Sequence, residues 1–193
     1  GARGESWATA QGFAAKPGQL CVIPTAEGAV GGAVFGLGPA PTPQDRPARD
    51  RFLLARAAES LPAGNWRIAN LPQGLDATII ALGWLFSQYR FDRYKKTTAA
   101  RAHLACPEGV DAARVVAMAA GEYLARDLIN TPASDMGPRE LEQAARELAA
   151  RHGASVEVIQ GDDLLSRNLP MIHAVGRAAE QAPRLIDLRF PGT

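Results

Sequence analysis

The chain has 193 residues, 47% hydrophobic and 21% charged, an ordinary globular composition with length for one full domain and part of another. Its formal net charge of +1 lacks the basic excess expected of a domain that binds nucleic acid through phosphates. The most continuous apolar run, Thr78 to Phe86, is too short to span a bilayer.

Residues 5 to 15 fit a short helix carrying Trp7, Ala10 and Phe13, broken by Pro17 and Gly18. Leu20 to Ile23 reads as a buried strand and Ala29 to Leu37 as a glycine-rich second strand. With Glu27-Gly28 as a tight turn, the pair is expected to form a hairpin. Gly36-Leu37-Gly38 invites a phosphate-loop reading. Such a cradle needs a helix N-terminus directly after it, whereas Pro39, Pro41 and Pro43 follow, so the glycines are expected to serve the backbone alone.

The spacing of Phe52, Leu54, Ala57, Ala58 and Leu61 predicts a helix over 47–61, and Trp66, Ile68 and Leu71 predict a strand. Leu75 to Tyr89 is apolar nearly all round, which a surface helix cannot be, and is expected in the core or under a neighbouring domain. A strand through Ala102, Leu104 and Cys106 leads to a helix capped by Asp111. Cys21 and Cys106 both lie in apolar runs and are expected to be small buried hydrophobes in a reducing compartment, since two isolated cysteines make no disulfide framework. Strands alternating with helices argue for an α/β sandwich.

The alanine-rich helix that starts at Asp111 must stop near Asn130, because Pro132 lacks an N–H and pushes Thr131 out of the α region. Pro138 fits the first turn of a new helix, with Leu141, Ala144, Ala145, Leu148 and Ala149 as its stripe and Gly153 as its close. Strands are expected at Ser155–Ile159 and Arg184–Phe190. Between them Asp162 is expected to cap a helix, with Asp163 favoured by its dipole.

The segment from Leu124 to Pro138, helix, break and helix with both prolines in register, closely resembles the hinge of the leucyl aminopeptidases, the cytosolic di-metal peptidases of the M17 family. The runs Leu61 to Arg67, Tyr89 to Lys95, His173 to Ala178 and Arg184 to Leu188 resemble a bacterial branch of that family. The resemblance implies an N-terminal α/β sandwich, with a macro-domain-like mixed sheet and flanking helices, over 1–110. A linking helix and hinge would occupy 111–137, and the incomplete first part of a catalytic α/β domain 138–193. It further implies that the intact enzyme removes N-terminal residues from peptides with two divalent ions, Zn or Mn, and that it is a cytoplasmic hexamer. The family's metal ligands and catalytic basic residues lie in Gly-Lys-Gly and Phe-Asp-Thr-Gly-Gly segments that do not occur in this chain. No catalytic or metal residue is therefore assigned, and no cofactor is expected in the chain itself.

The remaining constellations are weak. Arg90, Arg93, Lys95, Lys96 and Arg101, interleaved with Tyr89, Phe91 and Tyr94, combine the cations and rings that contact nucleic acid, and some aminopeptidases of the family double as DNA-binding proteins. The same composition suits a solvated connection between a buried helix and a strand, which is the preferred reading. His103, His152 and His173 have no second ligand at helical spacing and are expected to be structural. Ser134 and Ser166 lack a nearby histidine base in the sequence. A competing reading, a non-catalytic α/β module for oligomer assembly or for binding DNA or a nucleotide, is separated from the first by whether the gene runs past Thr193 into the missing segments.

Overall fold

The computed structural model describes residues 2–39, 52–98 and 101–192. The chain packs as two units, Gly1–Ala125 and Arg126–Thr193. The first contains helix α1 (Ala2–Ala10), strands β1 (Leu20–Pro24) and β2 (Val30–Phe35), helix α2 (Ala55–Ser60), strand β3 (Gly64–Trp66), helix α3 (Ala77–Gln88) and strand β4 (Ala102–Leu104). Helix α4 (Ala112–Asn130) runs across the division. The second unit continues with α5 (Pro138–His152), β5 (Ser155–Gln160), two short helices, α6 (Asp163–Ser166) and α7 (Pro170–Gly176), and β6 (Arg184–Arg189). The α/β class is as expected, and among the described residues the strands pair two and two, as β1–β2, β3–β4 and β5–β6.

The hairpin forms as the sequence indicates. β1 and β2 are antiparallel from Leu20 opposite Phe35 to Pro24 opposite Val30, with an irregularity at Ile23/Pro24 where proline cannot donate to the ladder. Gly28, at φ 84°, supplies the left-handed turn. Gly36 explains itself by crowding: a Cβ there would meet the Lys16 carbonyl oxygen at 2.2 Å. Its N–H bonds the Gln19 carbonyl at 2.7 Å and its carbonyl accepts from Gly18 at 2.9 Å. The glycines thus let two backbone segments approach, and no helix follows them within the described residues up to Gly38. The expected helix over 47–61 is described only from residue 52, and α2 covers its second half.

β3 and β4 are parallel and joined through α3, a β-α-β arrangement with Gly64, Asn65 and Trp66 opposite Ala102, His103 and Leu104. The strand expected through Ile68 and Leu71 stops at Trp66. Its partner ends at Leu104 and is soon followed by Pro107, so residues beyond Trp66 have no ladder to join, and Leu71 is exposed. For the same reason Cys106 lies past the end of β4 and is exposed, contrary to the expectation of burial, while Cys21 in β1 is half-buried.

Helix α3 is the core of this unit. Asp76 caps it, its carboxylate accepting from Thr78 N at 2.8 Å. Five consecutive residues, Ile80 to Trp84, are buried. Trp84 packs with Ala57, Ala58 and Ala102, and its indole N–H donates to the Ala102 carbonyl at 3.1 Å. Ala81 and Leu82 pack with Val115 and Ala119 of α4. Gly83 lets α2 and the turn before it approach, since a Cβ would meet the Phe52 ring at 2.6 Å and the Ala55 Cβ at 3.4 Å.

In the second unit Thr131 is buried, and its hydroxyl bonds the Asp127 carbonyl at 2.6 Å, closing α4 one residue before Pro132. Pro138 opens α5, and Gly153 at φ 67° ends it. Ala144, Ala145, Leu148 and Ala149 turn inward as expected, whereas Leu141 remains 46% exposed. β5 and β6 are antiparallel over six residues, from Ser155 opposite Arg189 to Gln160 opposite Arg184, and α5 packs on both.

Truncating the wholly buried Trp84 to Ala should cost about 3–5 kcal/mol by urea denaturation. Trp84→Phe should cost only about 1–2 kcal/mol, because the Ala102 carbonyl keeps its second donor, Gln88 Nε2 at 2.9 Å. Equal losses would place the stabilisation in the indole hydrogen bond rather than in packing.

Candidate functional site

The basic segment predicted from sequence follows α3. The C-terminus of that helix leaves carbonyls without helical partners, and Arg90 Nη1 donates to those of Ser87 at 2.8 Å and Tyr89 at 2.7 Å. Arg93 lies over the Tyr94 ring, 5.7 Å from its centroid, and Tyr94 meets Phe91 edge-on at 5.9 Å. Tyr89 packs against Tyr123 of α4 at 5.3 Å, and the Tyr123 hydroxyl donates to the Leu85 carbonyl. Lys95, Lys96 and Arg101 are exposed. Arg101 enters the ladder through its backbone, its carbonyl accepting from Gly64 N at 2.9 Å. Residues 99 and 100 lie outside the described residues. Two of the five cations are thus engaged within the segment.

A groove of about 810 Å³ lies between α1 and the β1–β2 hairpin, lined by Arg3, Trp7, Val22, Pro24 and Val30 among others. The Trp7 indole donates across it to the Val22 carbonyl at 3.1 Å. Its polar side chains are Arg3, Ser6 and Thr25, and among the lining residues there is no His, Cys, Asp, Glu or Lys to serve the two hydroxyls as a general base.

The second unit holds the most organised polar cluster, and sequence reasoning missed it. The Glu140 carboxylate reaches back to Gly137 N at 3.1 Å, satisfying one open donor at the α5 N-terminus. Gln181, from the segment before β6, accepts from Arg139 N at 2.8 Å and donates to Glu140 at 3.0 Å. Its amide covers Gly137 so closely that a Cβ there would lie 2.8 Å from Nε2. Two residues on, Glu142 is held between Arg146, whose Nε is 2.8 Å away, and Arg184 of β6. The Gln181 amide first, and then backbone N–H groups, hold the Glu140 carboxyl below its ordinary range; Arg146 and then Arg184 do the same for Glu142. The only sequence signal available was Glu140 three residues after Gly137. The partners at 181 and 184 are brought in by the fold.

Asp162 does not cap α6. Its backbone is already helical and its side chain makes no cap bond. Instead its Oδ1 lies 3.1 Å from Nε2 of the half-buried His173 on α7. His103 and His152 are exposed. Among the described residues no three His, Cys, Asp or Glu side chains converge as a metal site would require, so the residues present do not fit a di-metal centre. No helix among them is long and apolar enough to cross a membrane.

The geometry therefore defines two α/β units in tandem, and among the described residues no group of three His, Cys, Asp or Glu side chains converges. Residues 1–107 match the model of the M17 aminopeptidase N-terminal domain, and residues 123–193 match that of the cytosol aminopeptidase catalytic domain. The chain belongs to the M17 cytosol aminopeptidase family. It is 37% identical over 150 residues to a probable cytosol aminopeptidase of Geobacter sp. strain M21, covering 72% of this chain and 29% of that protein. The solved cytosol aminopeptidase of Coxiella burnetii superposes with a TM-score of 0.83 at 33% identity, over 97% of this chain and 39% of that one. The bottromycin maturation enzyme BotP in complex with Mn gives 0.78 at 32% identity, over 95% and 41%. The chain thus spans well under half the length of these relatives, as an N-terminal domain with only the start of the catalytic domain.

Two measurements test the clusters. Because the folded-state pKa values of Glu140 and Glu142 are depressed, their contribution to stability is present above the ordinary glutamate range, about pH 4.3, and is lost as the pH falls through the folded values. Thermal melts should show Glu140→Gln/Glu142→Gln less stable than wild type at pH 7, with the gap closing towards pH 3. A gap independent of pH would remove the carboxylates from the account. For the basic segment, the expected affinity for duplex DNA is no tighter than the general range of about 10⁻⁴ to 10⁻⁶ M. A sub-micromolar complex whose log K against log salt slope flattens by about two on replacing Lys95 and Lys96 with Ala would overturn that.

Proposed function

We propose that this chain is the N-terminal part of a metal-dependent leucyl aminopeptidase that removes N-terminal residues from peptides in the cytoplasm and assembles as a homo-oligomer, a hexamer by family resemblance. The observation that carries this reading is the tandem, in-order match to the two domain models of one peptidase family, over residues 1–107 and 123–193. In this reading 1–110 form the N-terminal domain, 111–137 the linking helix and hinge, and 138–193 the beginning of the catalytic domain. Two divalent ions, Zn or Mn, would activate water and polarise the scissile carbonyl in the intact enzyme. Their ligands would come from residues outside this chain, whose own carboxylates Glu140 and Glu142 are engaged in holding α5. The contribution of these residues is then architectural: they position the strand pair β5–β6 and the first catalytic-domain helix.

The 193-residue chain, incubated with manganese or zinc and a leucyl chromogenic substrate, should give no turnover above a metal-only blank. The product of the uninterrupted gene, given the same metals, should hydrolyse it. Turnover by the short chain, or none by a longer product carrying Gly-Lys-Gly and Phe-Asp-Thr-Gly-Gly segments, would sink the reading.

A further inference from the structure

Two contacts fix the walls of the groove between α1 and the β1–β2 hairpin. Gly4 brings α1 down on β1, where a Cβ would lie 3.3 Å from Ile23 Cδ1. Three residues on, the Trp7 indole commits its single donor to the Val22 carbonyl at 3.1 Å, so the ring cannot swing away without losing that bond. On the far side Ala26, Gly28 and Ala29 carry too little side chain to close the space, and about 810 Å³ stays open. That is the size of a small-molecule site, about 300–1,000 Å³. Trp7 and Val30 both line it and are 41% and 52% exposed. Two large apolar side chains bare in one concavity mark a binding groove rather than scattered surface residues.

The charge of the groove is as selective as its shape. Arg3 alone among the lining residues is charged, and its guanidinium has no hydrogen-bond or ion-pair partner among the described residues. Thr25 adds a hydroxyl that is shut from water and likewise unpartnered. Such a buried polar atom is the kind a ligand satisfies, and rotation about χ1 re-aims it. We infer that the groove is a binding site for a monoanionic carboxylate with an apolar body, the carboxylate on Arg3 and the body on Trp7, Val22 and Val30. A guanidinium presents paired donors in one plane, which match the two oxygens of a carboxylate. No acid lines the groove to receive an ammonium, so amines and free amino acids are selected against. A doubly charged phosphate ester would keep one charge unmatched beside apolar walls. The required head and body occur both in a free arylalkyl acid and at the C-terminus of a peptide ending in an apolar residue. The inference is independent of the peptidase reading.

The test is a titration of the isotope-labelled 193-residue chain, followed by NMR at the indole N–H signal of Trp7, which is assigned by its loss in Trp7→Phe. Phenylbutyrate should move that signal saturably with a Kd below about 1 mM, and phenylbutanol, the same body without the charge, should bind about 10-fold more weakly. Arg3→Ala should weaken phenylbutyrate about 10-fold and leave phenylbutanol unchanged. Arg3→Glu should reverse the preference in favour of phenylbutylamine, and Val30→Ser should weaken acid and alcohol alike. Arg3 and Val30 are exposed, so these variants should fold, as unchanged indole signals from Trp66 and Trp84 would verify. N-acetyl-leucine should bind more tightly than leucine, and its affinity beside that of phenylbutyrate tells a peptide C-terminus from a free acid as the preferred source. No saturable shift in the wild-type chain, equal affinity for acid and alcohol, or an Arg3→Ala loss equal for both would overturn the inference. So would tighter binding of phenylethyl phosphate than of the acid.

Discussion

The first unit depends on one constraint, the burial of a helix that is apolar on every side. α3 satisfies it by having neighbours around it. Trp84 looks towards α2 and the β3–β4 pair, Ala81 and Leu82 look towards α4, and Leu104 is shared between the two clusters. The indole hydrogen bond to Ala102 fixes the helix against the strand that follows it, so the crossover and the parallel ladder are specified together. Gly83 then sets how near α2 can come.

The second unit is held by another kind of force. With little buried apolar surface, its order comes from a hydrogen-bonded ladder and from charge. Glu142 joins two arginines of different elements, and the Arg184 side chain is only 8% exposed. A half-buried pair of this sort specifies geometry more than it adds stability, because desolvation offsets much of the attraction. The exposed pairs of Arg189 with Asp187 and Glu157 on the strand surface contribute less still.

Much of this was legible in the sequence because it is written in local rules. The proline at 132, the proline at 138 and the glycine at 153 bracket α4 and α5 to within two residues, the continuous apolar run Leu20 to Ile23 marks β1, and the alternation of apolar and charged residues marks β6. The all-round apolar character of α3 announced its burial. The failures are those of context. β3 stops at Trp66 because β4 offers no longer partner, which Ile68 and Leu71 cannot announce. Cys106 looks apolar by its neighbours yet falls two residues beyond the ladder. Asp162 has the chemistry of a cap and instead faces His173, eleven residues on, once α6 and α7 have folded back. The polar cluster at the start of α5 was invisible for the same reason, its members being drawn from positions about forty residues apart.

That last separation has a consequence for synthesis. Gln181 completes the first turn of α5 from 42 residues further along the chain, bonding Arg139 N and lying against the bare α-carbon of Gly137. While the polypeptide is emerging, α5 can coil but its leading end stays open to water until Gln181 has been made and β6 has begun to pair with β5. The start of α5 therefore acquires its final form late and from downstream, after the residues that pack around α3 have all been made.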